Sequence, residues 1–149
     1  MVSETRVINR SAVDWALLIA RIIVGLVFMA HGAQKLFGAF GGPGLSALVK
    51  GMGPLGYLLA IGEFFGGLGL LVGFLSRFSA AAIIVIMLGA IAMVHSKFGF
   101  FMNWTGKQPG EGFEYHLLAI AVLLTILIAG PGRFALGQYL PLPKAVVLE

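Results

Sequence analysis

The sequence predicts an all-α integral membrane protein, a four-helix bundle with antiparallel up-and-down topology, on three observations. Of 149 residues, 59% are hydrophobic and only 11% are Asp, Glu, Lys or Arg, and mean hydropathy is +0.99. Soluble domains run at roughly 45–50% apolar and about 25% charged. The apolar residues gather in four long runs, each near the ~20 residues that carry an α-helix across a hydrocarbon core of about 30 Å. The runs do not alternate in polarity, as the strands of a membrane barrel would.

This composition leaves too little charged surface for a soluble enzyme domain or a disordered chain. The net charge of +4 is spread thinly and forms no basic tract, so nucleic acid is not an expected partner. Cysteine is absent. Disulfides, thiol catalysis, iron–sulfur clusters and cysteine zinc sites are excluded together. The length fits one transmembrane domain over residues 1–149.

The helices are expected at about 14–37, 54–75, 78–97 and 115–132. The polar segment 1–13 is not expected to be a cleaved signal, because the run behind it exceeds a signal's apolar core. The first span contains Arg21 and the second contains Glu63. The third runs nineteen residues, from Phe78 to Ser96, without Asp, Glu, Lys or Arg; the fourth, from Tyr115 to Gly132, runs eighteen. Arg77 lies in a very short turn, which makes the second and third helices antiparallel neighbours. The first loop, Gly38 to Gly56, carries seven glycines and two prolines and predicts an irregular segment with one interfacial helical turn near Leu45–Lys50. Its glycine cluster lacks the Lys-Ser/Thr ending of a phosphate loop. The third loop is rich in aromatics, including Phe98, Phe100, Phe101, Trp104 and Phe113, which suits a membrane–water interface.

An even number of spans puts both termini on one side of the lipid bilayer. That side holds Arg6, Arg10, Arg77, Arg133 and Lys144, against Lys35, Lys50, Lys97 and Lys107 opposite. The excess of one points to cytoplasmic termini.

Ionisable groups inside a membrane mark function or a paired structural contact. At 1.5 Å per residue, Arg21 lies ~7 Å from the midplane toward the termini, with Glu63 close to the midplane. An Arg21–Glu63 ion pair is therefore expected. Gly62, Gly66, Gly69 and Gly73 form a small-residue seam on the second helix, which lets another helix approach closely. On the first helix Arg21, Gly25, Gly32 and Lys35 share an arc, with His31 at its edge.

The three histidines fall at one level on the side away from the termini. His31 lies ~8–9 Å from the midplane, and His95 and His116 about 10–12 Å. Gln34, Glu111, Glu114 and Tyr115 adjoin that layer. Four readings stay open for it. The histidines could be structural helix-end residues. They could serve a quinone or other small-molecule head group, since His, Glu and Tyr exchange protons. His31, His95 and His116 could hold a metal, although no helix carries ligands at the usual i, i+4 spacing. Haem would require facing histidines at one depth.

The stretch from His31 through Gly32, Ala33, Gln34, Lys35, Leu36 and Phe37 to Gly38, with Gly41 and Gly42 after it, resembles the signature of the DoxX family. So do Arg21 with Gly25, Glu63-Phe64-Phe65-Gly66-Gly67, Gly73 with Arg77, His95 with Gly99-Phe100-Phe101, and Gly112-Phe113-Glu114-Tyr115. The resemblance covers about Arg21 to Arg133. It implies a four-helix protein of the bacterial inner membrane. Relatives are linked to thiosulfate:quinone oxidoreductase, to resistance against quinones and catechols, and to an oxidoreductase complex with superoxide dismutase and a thiol-processing enzyme. Most have no established activity. The missing cysteines separate this chain from the vitamin-K-reductase type of four-helix bundle.

The leading expectation is a redox-associated subunit, or a protein that binds a quinone or other small apolar ligand. Any enzymatic role would be that of an oxidoreductase-associated membrane subunit. The site would comprise His31, Glu63, His95, His116, Arg21, Gln34, Glu114 and Tyr115. A membrane or soluble oxidoreductase and further copies of the chain are the expected partners. The alternatives are a small-solute or proton carrier working as an oligomer, and a non-catalytic anchor or assembly subunit.

Overall fold

A computed structural model describes residues 10–141. The expected cationic residues Arg6 and Lys144 lie outside them. The described chain is helical, with no strand among its residues. Helix α1 spans Arg10–Phe37, α2 Gly44–Met52, α3 Leu55–Val72, α4 Ser76–Ala90 and α5 Glu114–Ala129. Helix α4 runs on through a π-helical turn, Ile91–His95, and a 3-10 turn, Ser96–Phe98. The three stretches Arg10–Phe37, Leu55–Val72 and Ser76–Phe98 are long and apolar enough to cross a membrane, and α5 is a shorter apolar helix.

The boundaries follow local chemistry. Helix α3 stops at Gly73, whose left-handed backbone (φ 75°) suits a residue without Cβ. Phe74 N–H donates to the Gly69 carbonyl and Gly73 N–H to that of Leu70, a Schellman closure that uses the last carbonyls of the helix. Leu75 also takes a positive φ, of 51°, and α4 begins at the next residue. The expected tight hairpin is therefore built from three residues. Helix α5 ends at Ala129, ahead of Gly130 and Pro131, three residues short of the expected 132. Helix α2 is longer than the single turn expected, running nine residues across the glycine-rich loop.

Helix α1 packs chiefly on α3, α3 on α4 and α4 on α5, while α1 also touches α5 and closes the bundle. The core joins Val24 and Phe28 of α1, Leu70 of α3, Ala80, Ile83 and Met87 of α4, and Ala119, Leu123 and Ile126 of α5. The glycine seam is used as close packing, but on a different neighbour for each face. Gly62, Gly66 and Gly69 receive Ile86, Ile83 and Ser79 of α4. The tight α1–α3 contact is made by Gly25, Gly32 and Gly67. A Cβ on Gly25 would stand 2.7 Å from the Leu71 nitrogen and 2.8 Å from the Gly67 carbonyl oxygen, so the two backbones touch.

Candidate functional site

The antiparallel register of α1 and α3 decides where the charges go. Gly25 lies against Leu71, and Gly32 against Phe64. Arg21 is thereby carried to the end of α3, two turns beyond Glu63. The expected Arg21–Glu63 pair does not form. The side chain of Arg21, fully buried, donates from Nη1 to the Leu70 carbonyl and from Nη2 to the Phe134 carbonyl, each at 3.2 Å. Arg77 donates to the Leu127 carbonyl at 2.8 Å. Both arginines thus sit at the carbonyl end of a helix, where unpaired acceptors and the helix dipole favour a cation. The segment after α5 is stitched into the same end. Gly137 N–H donates to the Gly73 carbonyl, Arg133 N–H donates to the Asp14 carboxylate, and the rings of Trp15 and Phe134 lie 4.7 Å apart.

Glu63 pairs with Lys35 instead, Nζ to Oε2 at 2.5 Å, with the Glu63 side chain only 5% exposed. Lys35 is one turn beyond His31 on α1, so the two share a face. That face, with α3, α4 and α5, encloses a cavity of about 540 Å³. Five expected site residues line it: His31, Glu63, His95, Tyr115 and His116. Lys35 and Glu111 line it as well. The signal for Lys35 was its i+4 spacing from His31 and its place on the buried arc.

The polar groups are held in a layer. The rings of His95 and His116 lie 4.1 Å apart, tilted by 44°, those of Tyr115 and His116 lie 5.5 Å apart, and those of His31 and Tyr115 are 6.3 Å apart. Nδ1 of His95 is 2.8 Å from the Glu111 carbonyl oxygen, a contact the ring satisfies as a donor. The π-helical turn that ends α4 brings Met93, Val94 and His95 together onto the lining; such turns recur at functional sites. His116 is 6% exposed, and its Nδ1 has no hydrogen-bond partner among the described residues; the buried Tyr115 hydroxyl is in the same position.

The remaining expected residues lie elsewhere. Arg21 belongs to the terminal end. Gln34 borders a separate recess of about 240 Å³ with Ala30, His31 and Phe40. Glu114 fastens the aromatic loop: its carboxylate accepts from the Met102 N–H and the Trp104 indole, both at 2.9 Å. Among the described residues no three His, Cys, Asp or Glu side chains group closely enough to hold a metal ion, so the His31, His95 and His116 set is not assembled as a metal centre. Among the described residues, the His95 and His116 rings are in contact, tilted by 44°.

The remaining cavity wall is apolar, formed by Phe28, Leu55, Leu59, Ile86, Met87 and their neighbours. An oily chamber with a few convergent hydrogen-bonding groups has the make-up of a small-molecule site, and its volume falls within the roughly 300–1,000 Å³ of such sites.

Comparison with known proteins agrees with the fold. No solved structure matches the chain. The inner membrane protein YqjF of Escherichia coli (strain K12) is 29% identical over 130 residues, spanning 85% of this chain and 93% of that protein. The DoxX family model matches residues 16–96, which include α1 with Arg21, His31 and Lys35, α3 with Glu63, and α4 as far as His95. This membrane-spanning chain belongs to the DoxX family.

Proposed function

We propose that the protein resides in the bacterial inner membrane with its termini in the cytoplasm, and that its cavity binds a small, largely apolar ligand with a hydrogen-bonding head. A quinone is the type of ligand meant. The observation that carries this reading is the cavity itself, in which His31, Glu63, His95, Tyr115 and His116 converge under apolar walls.

The residues present suit such a head group. A quinone ring offers two acceptor oxygens, and its reduced form two hydroxyls. The Tyr115 and His116 side chains line the cavity, and a rotamer shift of either would turn its hydrogen-bonding atom toward the head group. Glu63 is anchored by Lys35, which leaves its second carboxylate oxygen available to accept from a hydroxyl. Imidazoles beside these groups give a route for protons between the buried head and the surface at Glu111. In this reading the chain serves a membrane or soluble oxidoreductase as its ligand-binding membrane subunit, alone or with further copies.

The test is to purify the protein in nanodiscs and quantify co-extracted quinone, then repeat with His31→Ala and Glu63→Gln. Bound quinone in the parent and several-fold less in each variant is the expected result. Absence of quinone from the parent, with no binding when it is added, would sink the reading.

A further inference from the structure

The hairpin of α3 and α4 is sealed at one end. From its turn to Gly62, side chains of α4 fill the notches left by the α3 glycines, ending with Ile86 against Gly62. Beyond that point the space between the two helices belongs to the cavity. Leu58 of α3 and Val85 of α4 line it, yet each is 68% exposed; Met93 is 62% exposed and Leu55 49%. Residues that both line a cavity and face outward stand at its rim. This rim is apolar and lies on the flanks of two membrane spans, so it faces hydrocarbon.

Gly89 lies in this gap. Glycine inside a helix costs about 0.5–1 kcal/mol relative to alanine, and Gly25, Gly62 and Gly67 each have a close neighbour that requires it. A Cβ on Gly89 would meet nothing within 4 Å, and the residue lines the cavity. Close packing does not explain it; an open passage does. The polar end of the cavity meanwhile carries a balanced pair, Lys35 and Glu63, and His116 buried with a ring nitrogen unpartnered among the described residues. A head group arriving there meets hydrogen-bonding capacity without a net charge from that pair to neutralise.

Building on the ligand-binding reading above, we propose that the cavity is loaded sideways from the bilayer, between α3 and α4 and over Gly89. Its ligand is a neutral amphiphile whose head reaches the His95–His116 layer and whose hydrocarbon tail remains in the gap. The competing route is from water, past Glu111.

Two probes separate the routes: a decyl-substituted benzoquinone and the same ring without a tail. Binding of each to nanodisc-embedded protein is compared between parent and variant, which cancels partition into lipid. Gly89→Phe is expected to weaken or slow binding of the decyl probe at least tenfold while changing the tail-less ring less than twofold. Val85→Phe narrows the same gap from an exposed position, so it serves if Gly89→Phe does not fold, and the same selectivity is expected. His116→Ala is expected to weaken both probes. If the rim variants leave both probes unchanged while His116→Ala weakens both, the lateral route is wrong and the cavity reading stands. Equal loss of both probes in the rim variants also overturns the portal. Failure of either probe to bind the parent protein overturns the cavity reading and the portal with it.

Discussion

The two ends of the bundle solve the problem of buried charge in opposite ways. At the terminal end Arg21 and Arg77 donate to main-chain carbonyls of α3, α5 and the following segment, and the space around them is filled by close packing. At the other end Lys35 and Glu63 pair across two helices beside an open chamber, and the Tyr115 hydroxyl and His116 Nδ1 are buried without partners among the described residues. One end sets its cations on main-chain carbonyls amid close packing; the other sets an ion pair and three histidines around an open chamber. Stability should therefore concentrate at the first end and ligand binding at the second.

The largest stability effect should come from Arg21→Met. Hydrogen bonds from a charged group are worth about 1.5–3 kcal/mol each, and the freed carbonyls stay buried. A loss of about 3–5 kcal/mol is expected, read as a lowered unfolding midpoint in detergent. Binding by the protein that remains folded should be unchanged. Gly67→Ala comes next. Its Cβ would stand 2.8 Å from the Gly25 carbonyl oxygen, and backbone cannot move aside as a side chain can. About 2–3 kcal/mol is expected, by the same measurement.

The Lys35–Glu63 pair should register at both levels. Lys35→Met or Glu63→Gln alone is expected to cost about 2 kcal/mol, because each leaves a buried group without its partner. The double variant should cost less than the sum, with a coupling of at least about 1 kcal/mol. An additive cycle would show that the pair does no structural work. Glu114→Gln should cost about 1 kcal/mol by weakening its bonds to Met102 and Trp104, and should speed proteolysis within the loop at 99–113.

Tyr115→Phe is the smallest change in stability and the sharpest contrast. Removing a buried hydroxyl with no protein partner should leave stability unchanged or raise it by up to about 1 kcal/mol. Quinone binding should nevertheless fall about tenfold. A Tyr115→Phe protein that is both destabilised and fully competent to bind would erase the distinction between the two ends.

Much of this division was legible in the sequence. Four apolar runs mark the helices, three stretches of them long enough to cross a membrane and α5 shorter, and helical rise alone put His31, His95 and His116 at one level, where the structure finds them around one cavity. The partner of Arg21 was not legible, because a backbone carbonyl has no side-chain signature. The pairing of Glu63 depended on the offset between α1 and α3, which Gly25, Gly32 and Gly67 set by backbone contact. Centring each span on the membrane ignored that the first turns of α1 overhang α3 to meet Arg133 and Phe134. The π-helical turn before Ser96 likewise leaves no trace in an uninterrupted apolar run. Nothing in the sequence singles out Gly89; its open surroundings in the structure do.

The bond between Arg21 and the Phe134 carbonyl joins residues 113 positions apart. A ribosome delivers the first helix to the membrane well before Phe134 is made, since chains are synthesised and inserted from the N-terminus. Until α5 is in place and the segment behind it has folded back, this guanidinium lacks one of its final acceptors. The contact thus forms only after the segment behind α5 has folded back. A protein truncated after α5 would keep every apolar helix yet leave Arg21 without the Phe134 carbonyl.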